Sequence, residues 1–304
     1  MDARVQRRVQ RYGWDLAVEP YAQHWHALLA GVQAELLAKA APRPGEQVLD
    51  LACGTGAVTL ALASAVGTNG RVLGVDLSDG MVAAAAARAQ AAGFLQGSFA
   101  RMDAESLSLP AASFDLAVCA LGLMYLPNPD AALHEVRRVL RPGGRAAFAV
   151  WGERQRCAWA SLFGIVDAEV RSEVCPLFFG LGQGEALERA CAAAGLTVTG
   201  SHRRHDALWH ADADAACAAA FAGGPVALAW SRFDAATRHR VRQRYLDDIA
   251  PWREGTGYRL PAEFVLVSAQ RPVVADSDTA ADADASHPSR PDLPRHVHTR
   301  TLLP

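Results

Sequence analysis

A chain of 304 residues, 51% hydrophobic and 20% charged, with a formal net charge of −2, holds enough apolar residues for one sizeable core. Arginine pairs occur at Arg7-Arg8, Arg137-Arg138 and Arg203-Arg204, but no long basic run does, so nucleic acid is not the expected partner. No apolar run reaches the 18 residues of a membrane span, and the six cysteines form no Cys-x-x-Cys pair, as expected of reduced thiols in a cytoplasmic protein.

Residues 1–19 begin polar and basic and turn aromatic at Tyr12 and Trp14. An alanine/leucine pattern then predicts a helix over 19–40 that carries Tyr21, His24, Trp25 and His26. After Pro42 and Pro44-Gly45, the apolar run Val48, Leu49, Leu51 predicts a strand buried on both faces. It stops at Gly54 and Gly56, and an alanine-rich helical pattern follows over 57–66. Strand, glycine turn and helix aim backbone N–H groups at an anionic group. A second strand, 72–76, ends on Asp76, 22 positions after Gly54, where a nucleotide-binding βαβ unit keeps its ribose carboxylate.

Ser78 reads as the N-cap of a helix over 81–92, and a strand over 97–102 delivers Asp103-Ala104. A further strand spans 114–120. Asn128-Pro129 opens a helix over 130–140, Pro142-Gly143-Gly144 closes it, and 145–151 is the fifth strand.

Local detail separates two cofactor classes. The dinucleotide fingerprint Gly-x-Gly-x-x-Gly/Ala meets a threonine, Thr59, at its third site, which disfavours NAD. Asp50 places a charge inside a strand end, a costly position unless something there needs it. Cys53 reads as a small residue in a tight turn. The stretch Val48-Leu-Asp-Leu-Ala-Cys-Gly-Thr-Gly56 resembles the first motif of the class I S-adenosylmethionine-dependent methyltransferases. Asp103-Ala104, Leu121-Gly-Leu-Met-Tyr-Leu-Pro-Asn128 and Arg138-Val-Leu-Arg-Pro-Gly-Gly144 follow in the order found in the ubiquinone/menaquinone-biosynthesis group.

The resemblance covers 46–151 and implies an α/β fold: a Rossmann-like seven-stranded sheet, mostly parallel with the last strand antiparallel, and helical cap insertions. It implies S-adenosylmethionine as cofactor. Asp50 and the Gly54, Thr55, Gly56 turn would face its methionine end, with Ala120 beside it. Asp76 would take the ribose hydroxyls, Met81 would pack on the adenine, and Asp103 and Ala104 would hold the adenine edge.

Beyond Trp151 the expectations rest on pattern alone. Segment 152–182, with Trp159, Phe163, Phe178 and Phe179, reads as an apolar cap. A helix over 183–194, a strand from Leu196 towards Trp209, a largely helical insertion over 210–257 and a last strand over 263–269 follow. The organisation expected is cap helices over 1–45, a cofactor-binding core over 46–151, the rest of the sheet with substrate caps over 152–271, and a disordered tail over 272–304.

No catalytic base stands out. His24, Tyr21 and Tyr125 are the candidates, with His26 beside them; His134 reads as structural. His202, His205 and Asp206 lack a fourth ligand at familiar spacing, so no metal is expected. Asn-Pro-Pro-Tyr, the signature of base-amino methylation in nucleic acids, is absent after the fourth strand. The function expected is in-line methyl transfer to a small, largely apolar or aromatic metabolite. The alternatives are a quinone-precursor ring carbon as acceptor, or a non-catalytic regulator that binds the cofactor. A small molecule is the expected partner, and a homodimer is compatible with the sequence.

Overall fold

The computed structural model describes residues 3–94, 96–170, 175 and 177–273. Two helices come first, α1 (Ala3–His24) and α2 (His26–Ala40). The core then alternates β1 (Gln47–Leu51), α3 (Ala57–Val66), β2 (Arg71–Asp76), α4 (Asp79–Ala91), β3 (Gly97–Arg101), β4 (Phe114–Ala120), α5 (Pro129–Val139) and β5 (Leu140–Trp151). After α6 (Ser161–Val170) and α7 (Ala186–Ala193) comes β6 (Thr197–His210). Three helices, α8 (Ala213–Cys217), α9 (Ala227–Arg232) and α10 (Ala235–Ile249), lead to β7 (Arg253–Glu254) and β8 (Gly257–Gln270).

The strands lie in the order β3-β2-β1-β4-β5-β8-β6, with the short β7 paired to β8. Pairs among β1 to β5 are parallel, and β8 runs antiparallel to both β5 and β6. The expected sheet is thus present, with the two-residue β7 added as an eighth strand. Its centre is dry: Leu116, Val118, Phe148 and Phe264 are fully buried. The order reverses between β1 and β4, and such a switch point leaves a crevice beyond the carboxyl ends of the strands.

The N-terminal region departs from expectation. Helix begins at Ala3 and runs through Pro20, and it breaks at Trp25. The indole of Trp25 is buried, and its Nε1 donates to the Ala219 carbonyl at 3.0 Å. The face that α1 buries carries Gln6, Gln10, Gly13 and Ala17, so no aliphatic stripe announces it. β5 also starts earlier than expected, at Leu140, because its register with β4 shifts across the Pro142-Gly143-Gly144 segment. Among the described residues no helix is long and apolar enough to cross a membrane. The expected tail lies, from residue 274 onward, outside the described residues.

Candidate active site

The turn after β1 is built from left-handed backbone at Ala52, Gly54 and Gly56, with φ of 51°, 53° and 82°. Gly56 is also pressed against α4: a Cβ there would lie 3.0 Å from that of Ala85. Glycine therefore satisfies both the backbone and the contact. The turn directs the Gly54 N–H at Asp76, which it meets at Oδ2 at 2.9 Å, while the Ser78 N–H reaches Oδ1 at 2.9 Å. Each carboxylate oxygen thus holds one backbone amide and keeps lone-pair capacity towards the crevice. Burial pushes the Asp76 carboxyl up, the backbone amides of Ser78, Gly54 and Leu77 oppose that shift, and the Asp15 charge adds to it.

Asp50 is almost fully buried, with 1% of its surface exposed. Its Oδ2 accepts from the Thr59 hydroxyl at 2.6 Å, and its Oδ1 has no hydrogen-bond partner among the described residues. Burial drives the carboxyl up to about 7, against the pull of the Thr59 bond, and the nearby Asp76 adds to the rise. A buried acceptor left open at the edge of a glycine turn suits a cationic ligand group. The residues therefore fit a zwitterionic amino-acid end.

Helix α1 closes one wall. Arg7 forms an ion pair with Asp103, Nε to Oδ2 at 2.9 Å, and another with Glu105. Arg11 pairs with Asp79, and Asp15 Oδ1 accepts from the Ser78 hydroxyl at 2.5 Å and from the Gly80 N–H at 3.0 Å. Spaced four apart, these three side chains lie on one helix face. The cleft beneath has an empty volume of about 1030 Å³, its open mouth included.

Gly54, Asp76, Met81, Asp103, Ala104 and Ala120 all line this cleft, as do Tyr21 and Tyr125. Asp50 and Thr55 line a small adjoining pocket that shares Tyr21, Gly54 and Ala120 with it. Gly56 lines neither, because it sits behind the turn against α4. His24 also lies outside both; its like charge adds to the burial that lowers the pKa of His210 to about 4. His26 faces Thr55 and not the cleft. His202 lies against Glu35 and His205 against Glu263, while Arg204 bridges Glu35 and Asp206, so these three groups do not converge on one point.

Among the described residues the charged lining is Arg7, Asp76 and Asp103; Trp14, Trp25, Trp151 and Trp159 form an aromatic wall, completed by Gly223, Gly224 and Pro225 of the late insertion. Phe178 does not reach the cleft but supports Tyr125 and Trp159, at ring distances of 5.2 and 5.6 Å. Sequence reading missed Arg7, Gln10, Leu77 and Met102. Leu77 and Met102 adjoin residues it did select, so the strand-end rule could have found them.

The fold and this glycine turn are those of a methyltransferase-type α/β domain. Residues 48–144 match the family described as a methyltransferase domain. The chain is 42% identical over 108 residues to a 2-phytyl-1,4-naphtoquinone methyltransferase of Synechococcus elongatus, covering 35% of this chain and 46% of that protein. It is 42% identical over 113 residues to the ubiquinone/menaquinone biosynthesis C-methyltransferase UbiE of Burkholderia vietnamiensis (37% and 46% covered). Over 107 residues it is 40% identical to the aklanonic acid methyltransferase DauC of a Streptomyces species (35% and 49% covered). The match thus spans a little under half the length of these relatives. Among solved structures, the [4+2]-cyclase SpnF superposes with a TM-score of 0.55 at 22% identity, over 82% of this chain and 83% of that one. The YcgJ protein of Bacillus subtilis gives 0.57 at 18%, over 80% and 99%. These two similarities establish the fold.

Proposed function

We propose that the chain transfers the methyl group of S-adenosylmethionine to a small, uncharged, largely apolar or aromatic metabolite. The observation that carries the reading is the pair of carboxylates on successive strands: Asp76, held by two backbone amides, and Asp50, with one buried oxygen open. Asp76 would accept from the ribose hydroxyls, Asp103 and Ala104 would hold the adenine edge, and Met81 would pack on its face. Asp50 would take the ammonium of the amino-acid end, with Thr55 and the Gly54 turn around it.

S-adenosylmethionine supplies an electrophilic methyl carbon on a sulfonium whose charge vanishes on transfer. The protein therefore gains most by aligning the acceptor with that carbon and by excluding water. The tryptophan wall, Phe178 behind it and helix α1 serve those ends. Tyr21 stays protonated, since burial and the neighbouring Asp76 and Asp50 push its phenol upward; it orients by donating a hydrogen bond.

A quinone-like ring as acceptor is the second reading, favoured by the printed activities of two relatives and by the tryptophan-rich lining of the cleft. Incubation with methyl-labelled S-adenosylmethionine and a metabolite extract tests both. Label in an uncharged ring compound is the expected result; no labelled product from any extract would reject methyl transfer.

A further inference from the structure

We infer that His26 is a positioning residue for the anionic end of the methyl donor: it fixes the Thr55 hydroxyl so that its proton is offered to the amino-acid carboxylate. The inference rests on the proposed donor site.

His26 opens α2, directly after the break at Trp25 that turns the chain back towards β1. Its ring lies between two partners. Arg88 Nη2 stands 3.1 Å from Nδ1, and Thr55 Oγ1 stands 2.6 Å from Nε2. A guanidinium can only donate, so Nδ1 accepts and the ring proton resides on Nε2. A second Arg88 contact, Nη1 to Nε2 at 3.4 Å, is longer and does not reverse this assignment. Burial and the Arg88 charge both lower the basicity of His26, which keeps the ring neutral.

Nε2–H therefore donates to the Thr55 hydroxyl. With an acceptor site of that oxygen filled, its own proton turns to another acceptor. Thr55 is 4% exposed and lines the small pocket with Asp50, Gln33 and Tyr21. An amino acid whose ammonium meets the open oxygen of Asp50 carries its carboxylate only two bonds from that nitrogen, inside the same pocket. A buried carboxylate needs donors, and the Thr55 hydroxyl is one whose direction the protein has set in advance. Arg88 also approaches the Thr55 carbonyl at 3.5 Å, so one cation steadies both ends of the arrangement.

Calorimetric titration with S-adenosylhomocysteine and with 5′-methylthioadenosine, which lacks the amino-acid end, tests this. His26→Ala should weaken S-adenosylhomocysteine binding on the order of tenfold and leave 5′-methylthioadenosine binding unchanged. His26→Gln, which can donate to Thr55 and accept from Arg88, should restore most of the loss. Unchanged thioadenosine binding also reports that the variant is folded. An equal loss for both ligands, or none for S-adenosylhomocysteine, overturns the inference while the donor reading stands. A wild-type chain that binds neither ligand overturns both.

Discussion

Asp15 and Ser78, 63 residues apart, share a 2.5 Å hydrogen bond that ties the first helix to the cap of α4. The same Asp15 oxygen accepts from the Gly80 N–H, and the Ser78 oxygen accepts from the Met81 N–H at 3.0 Å. Because the Ser78 N–H also holds Asp76, the bonds run without a gap from α1 through Asp76 to the glycine turn. Helix α1 is therefore part of the frame that sets the cleft, and Arg7 and Arg11 extend its grip to Asp103 and Asp79.

Asp15→Ala removes the acceptor from a buried hydroxyl and from a backbone amide. Leaving such donors unmet costs about 1–3 kcal/mol. The melting temperature should fall by roughly 2–12 °C, at about 2–4 °C per kcal/mol, and S-adenosylhomocysteine should bind more weakly. Asp15→Asn keeps an acceptor oxygen and should retain most of both. Scanning calorimetry with and without the ligand reads the two effects; an alanine variant matching wild type would show that α1 merely rests on the wall.

Stability should depend on pH through Asp50. Its carboxyl titrates near 3.8 in a free chain and at about 7 when folded, because burial disfavours the charge. Between those values the folded state holds a proton that the unfolded chain has released. Stability is then fully present below about pH 4 and declines as pH rises towards 7, by an amount on the order of a few kcal/mol. Asp50→Asn keeps the acceptor for Thr59 and removes the titration. Its melting temperature should change less between pH 5 and 8 than that of the wild type. Superimposable profiles would place the titration elsewhere.

The parallel core was legible because each apolar run ended at a glycine, a cap or an acid at the spacing a βαβ unit requires. Ser78 and Asn128 cap helices as expected, each accepting from an N–H three residues on. Helix α1 was not legible, since what holds it is polar and distant in sequence: Arg7, Arg11 and Asp15 find partners 60 to 100 residues away. In the sequence Thr59 is only a mismatch to the dinucleotide fingerprint, and its bond to Asp50 needed the fold to bring the two side chains together. The Gly223 to Pro225 wall was equally hidden, because nothing local ties an insertion loop to strand ends so far upstream.

Tyr21 should orient and not abstract. Burial, with Asp76 and Asp50 nearby, keeps its phenol protonated well past neutral pH. Tyr21→Phe retains the ring that packs edge-on against Trp14, 5.7 Å between centroids, and loses only the hydroxyl. Turnover should drop by about three- to tenfold, the worth of one hydrogen bond, with the same pH dependence between 7 and 9. A profile that loses an alkaline limb in the variant would instead identify Tyr21 as the base.

Asp76 offers the sharpest test of the donor site. Its carboxylate should accept two charge-assisted hydrogen bonds from a ribose diol, each worth about 1.5–3 kcal/mol. Losing the pair costs roughly 3 kcal/mol or more, on the order of a hundredfold in affinity. Gly54 and Ser78 both donate to this carboxylate, so Asp76→Ala also strands two backbone N–H groups and should lower the melting temperature. Asp76→Asn separates the effects. Its single acceptor oxygen can keep one amide and one hydroxyl, so it should bind S-adenosylhomocysteine better than the alanine variant and be the more stable of the two. Because a dinucleotide would need the same acid, the wild type is titrated with both S-adenosylhomocysteine and NADH. Heat from the thioether alone is the expected result, and heat from NADH alone would overturn the methyltransferase assignment.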